Sequence, residues 1–390
     1  MDESRVEPLV KDWSPLTKEE KNAETTMGVT ASYWQDVLRR LRLNRLAVAS
    51  IFVIMMILLA SIFGPMFTGK AYETQQLALR NMPPRIVIQT AADGTKFFVH
   101  PDLKVFLARE DGYVTDELSP ISANLADKQF VYEYNGKTYF LVFSAEGTEL
   151  LDENLEPLPQ QETIWNKNYL LGTDSIGRDM LTRLLYGGRI SLLVAFIVTI
   201  CTLVIGVLYG GIAGYSGGNT DIFMMRAVEV LMAIPSVIYI ILLMVYFGQG
   251  ITNILLAMAI TSWLGMALVV RGQVLSLKEQ EFILAAKCCG VSPIKIILRH
   301  LLPNSFGPII VFATLSIPAA IATEAFMSFI GLGVKPPMPS WGILSNEGIG
   351  AIRSSPYQIL LPSIAISLTM FAFNFLGDGL RDALDPRLRK

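Results

Sequence analysis

Long stretches free of Asp, Glu, Lys and Arg alternate with short charged connections along this chain. A helix needs about 20 mostly apolar residues to cross a hydrocarbon core. The first such stretch lies between Arg45 and Lys70 and contains VASIFVIMMILLASIF. A second lies between Arg189 and Asp221, and a third runs from Glu229 to Arg271. The third is long enough for two crossings, and GQGIT (Gly248 to Thr252) interrupts it near its middle with turn-forming residues. Two more run from Arg299 to Glu324, continuing apolar to about Gly333, and from Arg353 to Asp378. The pattern predicts six transmembrane helices, and so an all-α polytopic membrane protein.

Between the first and second spans the period changes. Residues 70–168 form a polar insertion (68–170 with its joints) in which acidic residues outnumber basic ones. FVYEYNGKTYFLVF (Phe130 to Phe143) is two β-rich runs around Asn135-Gly136, and such a turn tolerates the positive φ angles that a tight hairpin needs. RIVIQT and KFFVH, joined around Asp93-Gly94, read as a second hairpin. A small β-rich domain follows, without cysteine and so without disulfides, built on aromatic residues. It serves either as a lid or spacer, or as a docking surface for a partner outside.

The segments 1–46, 47–67, 68–170 and 171–390 thus read as cytoplasmic tail with interfacial helix, first span, insertion and helical core. Residues 1 to about 30 are polar with no apolar period, a tail that packs no core. Trp34, Val37, Leu38 and Leu41 then share a helical face, with Arg39, Arg40 and Arg42 largely elsewhere. This helix either lies in the membrane interface or extends the first span.

Composition agrees with a membrane protein. Of 390 residues, 52% are hydrophobic and 17% charged, against about 25% charged in soluble domains. Mean hydropathy is +0.45. A formal net charge of −2 gives general nucleic-acid binding no support. With the N-terminus inside, the inner flanks hold fourteen basic residues: Arg39, Arg40, Arg42, Arg45, Arg226, Arg271, Lys278, Lys287, Lys295, Arg299, Arg381, Arg387, Arg389 and Lys390. The short outer flanks hold five: Arg178, Arg183, Arg189, Lys335 and Arg353. The bias places both termini in the cytoplasm. The first span is too long, and too deep in the chain, for a cleaved signal peptide.

Several catalytic patterns fall away. GPMFTGKA (Gly64 to Ala71) is one residue short of a phosphate-binding loop, and it leaves a membrane span rather than linking a strand to a helix. GYSGG (Gly214 to Gly218) matches a serine-hydrolase elbow, but it too leaves a span, and Ser216 lacks an evident catalytic partner. Three cysteines and two histidines leave little for metal sites. Cys201 and Cys288-Cys289 read as apolar packing residues.

The segment 271–304 is the longest inner connection. Glu281 to Cys289 (EFILAAKCC) favours a helix that stops at Gly290. Ser292 is placed to cap a second helix with Pro293 at its first position. Ile296, Ile297 and Leu301 form an apolar stripe, and Pro303 marks the approach to the fifth span. The small Ala285 and Ala286 permit close approach of another surface. The helix-turn-helix either rests on the membrane or docks a cytoplasmic partner.

This loop is similar to the EAA loop of ABC-importer permeases, whose pattern is E-A-A, three residues, Gly, nine residues, then I-x-L-P. Ala285, Ala286, Gly290, Leu302 and Pro303 match; Leu284 replaces the Glu and His300 the Ile. Glu281, one turn earlier, is the nearest substitute carboxylate. LGTDSIGRDMLTRLLYGGRISL (Leu171 to Leu192), GIAGYSGGNTDIFMMRAVEVLMAIP, HLLPN, EAFMSFIGLGVKPPMPSWG and GLRDALDPRLRK narrow the resemblance to the C-type permease of oligopeptide and dipeptide importers. It covers nearly all of 171–390 and, more loosely, 32–67. The insertion is larger than that group leads one to expect.

The resemblance implies a type I ABC-importer permease and half of a translocation pathway in a bacterial cytoplasmic membrane. It implies a second homologous permease, two ABC ATPase subunits, an extracytoplasmic peptide-binding protein and a peptide substrate, within membrane lipid. ATP and Mg²⁺ would sit on the ATPases, so the chain itself is non-catalytic and needs no cofactor or metal. Coupling would run through Glu281, Ala285, Ala286, Gly290, Leu302 and Pro303. Gly172, Asp174, Gly177, Arg178 and Asp179 form an outer-mouth motif whose charges either pair among themselves and cap the short helix that follows, or contact the binding protein. Glu324, an acid deep in an apolar span, either faces the path or partner permease, or makes a structural hydrogen bond. Related permeases carry nickel or glutathione, and a secondary transporter or channel would show similar spans without needing the inner helix pair.

Overall fold

The structure, a computed structural model, describes residues 33–124, 128–143 and 147–385. The expected polar tail (1 to about 30) and the basic residues Arg387, Arg389 and Lys390 lie outside the described residues. The first helix, α1 (Tyr33–Leu43), buries Val37 against Ala383 and Leu384 near the other end of the chain. Asn44 then leaves helical geometry (φ −81°, ψ 101°), and its side chain accepts the N–H groups of Leu46 and Ala47. That cap starts α2 (Arg45–Thr68). The helix before the first span is therefore a separate element, not an extension of it.

Nine strands follow: β1 (Arg85–Thr90), β2 (Lys96–His100), β3 (Lys104–Ala108), β4 (Val114–Leu118), β5 (Ser122–Asn124), β6 (Gln129–Tyr134), β7 (Lys137–Phe143), β8 (Thr148–Leu151) and β9 (Gln160–Trp165). They make two antiparallel sheets, β4-β3-β2-β1-β9 and β5-β6-β7-β8. Both expected hairpins form. Asn135 (φ 52°) and Gly136 (φ 75°) turn the chain between paired Tyr134 and Lys137. Strand alternation splits the apolar residues of the larger sheet. Phe97 and Val105 pack with Tyr132, Tyr139 and Leu141 of the smaller sheet, while Ile88, Phe98 and Phe106 pack on the other face with Met82.

The second span is longer than its charge-free stretch. α3 (Met180–Ser216) begins before Arg189 and has 37 residues, about 55 Å. The expected short helix after Asp179 is thus the first turns of a long one, because Arg183 has partners that hold it in place. α4 (Gly218–Met232) and α5 (Ser236–Phe247) come next, bent by 75° across a short break. The expected third span is therefore a broken helix pair, which is long and apolar enough to cross only when its two halves are taken together. The stretch is apolar enough to cross, but Pro235 has no N–H to continue the helix. The 12 residues of α5 rise only about 18 Å.

α6 (Ile251–Leu277) lies along α3. A Cβ at Gly206 would meet Met266, one at Gly210 would come within 2.3 Å of the Ala267 carbonyl oxygen, and one at Gly214 would meet Val274. Rising numbers match rising numbers, so α3 and α6 run parallel, in close backbone contact. The inner connection then forms α7 (Glu281–Cys288), α8 (Pro293–Ile296), a π-helical turn (Ile297–Leu301) and α9 (Leu302–Asn304). α10 (Phe306–Phe329), α11 (Trp341–Gly348) and α12 (Tyr357–Leu384) complete the core. Among the described residues, five helices, α2, α3, α6, α10 and α12, are each long and apolar enough to cross a membrane. The start of α2 meets the end of α12, where a Cβ on Gly379 would touch Ala47.

Candidate coupling loop and outer mouth

The inner loop is anchored on one face and bare on the other. Ile283 of α7, Ile296 of α8 and Leu301 of the π turn are fully buried with Val207, Val270, Val274 and Ile309 of the long helices. The apolar stripe thus packs on the protein's own core. Gly290 (φ 71°) ends α7 in the left-handed region, its N–H donating to the Lys287 carbonyl and that of Val291 to Ala286. This pairing is a Schellman stop, and it fixes the angle between α7 and α8. Ser292 occupies the cap position, but its side chain makes no capping hydrogen bond.

Facing away are Phe282 (44% exposed), Leu284 (48%), Ile294 (71%) and Leu298 (54%), with Ala285 and Pro303 also exposed. Ala286 and Leu302 are half-buried. Glu281 is exposed in the first turn of α7 and has no ion pair among the described residues. Cys288 and Cys289 are exposed as well, not packing residues, because Ile283 carries the buried side of this short helix. Beside the loop, Arg271 of α6 grips Asp221 of α4 through two hydrogen bonds of 2.6 Å.

At the opposite end of α3 the motif Gly172 to Asp179 folds into one compact knot. Asp174 accepts Arg178 Nε and Arg183 Nη1, each at 2.6 Å, and the N–H groups of Ile176 and Arg178. Arg178 Nη2 reaches Glu347 of α11 at 2.8 Å, and Arg183 also donates to Glu347. Two guanidinium groups and two carboxylates therefore balance, and Arg183 is 1% exposed. Asp179 caps α3 by accepting the Thr182 N–H at 2.8 Å. The motif glycines are required by close approach. A Cβ at Gly177 would lie 1.9 Å from the Gln76 carbonyl oxygen, one at Gly172 2.4 Å from that of Met82, and both have φ of +78°. Tyr357 and Gln358 of α12 bond the same segment, so insertion, α3, α11 and α12 meet here.

Sequence reasoning did not single out Arg183 or Glu347 as site residues. Their signal was charge within otherwise apolar surroundings; their partner could not be read, since 164 positions separate them. Lys70, at the other joint of the insertion, lies 3.6 Å over the Tyr169 ring and 3.7 Å from Asp179. Burial lowers its pKa, against the opposing pull of Asp179.

Glu324 belongs to neither place. It is 0% exposed, and it accepts Ser191 Oγ of α3 at 2.8 Å and Ser328 Oγ at 2.7 Å. The Trp341 N–H donates to Ser191 Oγ at 3.3 Å. In this structure the carboxyl joins α3, α10 and the start of α11.

Long apolar helices in close glycine contact, with a connecting loop anchored on one face and bare on the other, define a multi-pass membrane protein. Residues 206–390 match the family model for the inner membrane component of binding-protein-dependent transport systems. Residues 32–84 match that for the N-terminal transmembrane domain of oligopeptide transport permease C. The dipeptide transport system permease protein DppC of Bacillus subtilis (strain 168) is 36% identical over 381 residues, 97% of this chain and 94% of that one. The oligopeptide permease OppC of the same organism is 34% identical over 378 residues, 97% of each chain. OppC of Escherichia coli (strain K12) is 36% identical over 376 residues, 95% of this chain and 98% of that one. The chain belongs to this family of inner-membrane transport permeases.

Proposed function

We propose that this chain is a permease subunit of an ATP-driven importer of small peptides, forming half of the pathway beside a second homologous permease. The observation that carries the reading is the inner loop. Its buried face ties it to α3, α6 and α10, and its bare apolar face, with Phe282, Leu284, Ile294 and Leu298 exposed together, is the kind of surface that a partner covers. One of the two ABC ATPases docks there, the other on the second permease, and Glu281 takes the place of the carboxylate missing at Leu284. ATP and Mg²⁺ bind those subunits, which makes this chain non-catalytic. Closure of the ATPases pushes α7 and α8 as a lever, and the helices above switch between inward-open and outward-open states. A binding protein delivers the peptide outside. The names of the relatives, which include dipeptide and oligopeptide permeases, support the substrate class.

Six crossings fit this arrangement. Since α3 and α6 run parallel, the chain between them must return to the side where α3 began, and only the bent pair α4–α5 is available. The direction in the membrane follows from the basic flanks. Arg178 and Arg183, two of the five outer basic residues, are neutralised by Asp174 and Glu347, which strengthens the bias toward inner termini. The test is purification with the neighbouring subunits, followed by uptake into proteoliposomes. Co-purification with an ATPase and uptake that requires ATP are expected. Uphill transport by this subunit alone would refute the reading.

A further inference from the structure

The break between α4 and α5 opens a cleft of about 310 Å³ in the side of the helical core. Five hydroxyl residues line it: Ser236 and Tyr239 of α5, Thr261 and Ser262 of α6, and Thr323 of α10. By helical rise, Thr261 lies about 15 Å below the outer end of α6 and Thr323 about 9 Å below that of α10. The site is therefore within the bilayer. Such a place is costly for unpaired polar groups unless they line a wet cavity.

The hydroxyls are not all committed. Ser262 Oγ donates to the Met258 carbonyl at 2.7 Å, and Thr323 Oγ1 to that of Ala319 at 2.9 Å. Thr261 Oγ1 donates to Met258 at 3.3 Å. Their protons are taken by their own helices, which leaves oxygen lone pairs facing out as acceptors. Ser236 and Tyr239 have no hydrogen-bond partner among the described residues, so each can donate or accept. The backbone adds more. Pro235 has no N–H, so the Leu231 carbonyl, four residues back, loses its helical donor. No side chain caps the start of α5. No lining residue carries a charge.

We infer that this cleft is a contact site for the backbone of the passing peptide, built of neutral donors and acceptors that match amide N–H and C=O groups. A peptide amide offers one of each at every residue. A wall of hydroxyls and open carbonyls pairs with that repeat whatever the side chains are. A fixed charge would instead retain peptides of one sign and repel those of the other. Neutral lining thus keeps the passage indifferent to sequence and spares the peptide the cost of crossing with bare amides. The inference rests on the peptide-import reading.

The test uses the whole importer with its partner subunits in proteoliposomes. Cys201, Cys288 and Cys289 are replaced by Ala, and single cysteines are placed by Ser262→Cys, Thr323→Cys and, as a lipid-facing control, Leu242→Cys. Formation of a mixed disulfide with a small water-soluble methanethiosulfonate, which releases methanesulfinate, is timed with and without a tryptic casein digest, ATP and the binding protein. The first two cysteines should react faster than the control by about tenfold or more, since a thiol in lipid stays protonated. Turnover with peptides should slow them several-fold and leave the control unchanged. Cysteines at 262 and 323 that react no faster than the control, or that gain no protection while the vesicles still import peptides, would overturn the site and leave the import reading standing. Vesicles whose ATPase turns over but import no peptide would overturn both.

Discussion

Arg183 shows how one side chain organises a membrane-domain mouth. Its guanidinium is buried between Asp174 and Glu347, and Arg178 shares both carboxylates. Removing one member of a buried ionic cluster leaves the others desolvated and unpaired, at a cost of about 3–5 kcal/mol. Arg183→Met should therefore lower the thermal midpoint of the purified protein strongly. Arg183→Lys should recover only part of it, because an ammonium cannot span two carboxylates as a guanidinium does. An unchanged midpoint in the Met variant would mean that the quartet contributes nothing net. Gly290 is the contrasting case. Open space surrounds its missing side chain, so Gly290→Val costs the strain of a left-handed residue, about 1–3 kcal/mol. The protein should fold and insert, while the angle between α7 and α8 shifts. ATP hydrolysis without peptide uptake is the expected result, and full uptake would count against the lever.

At the scale of elements, the insertion has its own stability and its own pH response. His100 is 1% exposed, between the rings of Phe98 and Phe106. Burial lowers its pKa from the ordinary value of 6.5, with a nearby Asp102 opposing. The folded state thus holds this imidazole neutral more firmly than the unfolded chain does. Its contribution is complete above about pH 6.5 and is lost as the pH falls through the lower folded value, since unfolding then takes up a proton. Digestion of the full-length protein by proteinase K across pH 5 to 8 should show the insertion opening on the acid side. His100→Phe should flatten that dependence, while costing about 1 kcal/mol for the Asp102 N–H, which loses its acceptor at Nδ1. A variant that keeps the full acid sensitivity would place the cause elsewhere. The turn at Asp93 should not respond in this range: the Thr95 N–H and hydroxyl that donate to it, and Lys137, keep its carboxyl at about 2.

For the whole molecule, orientation is the property that everything else uses. Cys288 and Cys289 are exposed on the inner loop, and Cys201 is half-buried in α3. A membrane-impermeant maleimide should label the pair in inside-out vesicles and leave it unlabelled in right-side-out cells. A cysteine introduced by Ile121→Cys, on the exposed surface of the insertion, should show the reverse. Labelling of both from one side would reject the proposed topology.

The residues made some of this molecule legible by local rules alone. Apolar stretches marked the long helices, Asn135-Gly136 marked a hairpin, and Gly290 followed by Ser292-Pro293 marked the joint of the inner loop. Each of these depends on the conformational preferences of a few neighbouring residues, or on the length a bilayer demands. What tertiary structure alone decided is pairing across distance. Glu324 looked like a lone acid in an apolar run until α3 supplied Ser191. Arg183 read as an outer basic flank until α11 supplied Glu347. The stretch before Gly248 read as one span, and the structure bends it by 75° into two helices beside a hydroxyl-lined hollow. Hydrophobicity reports that a segment leaves water; it carries no record of which neighbour will satisfy the polar groups it takes along.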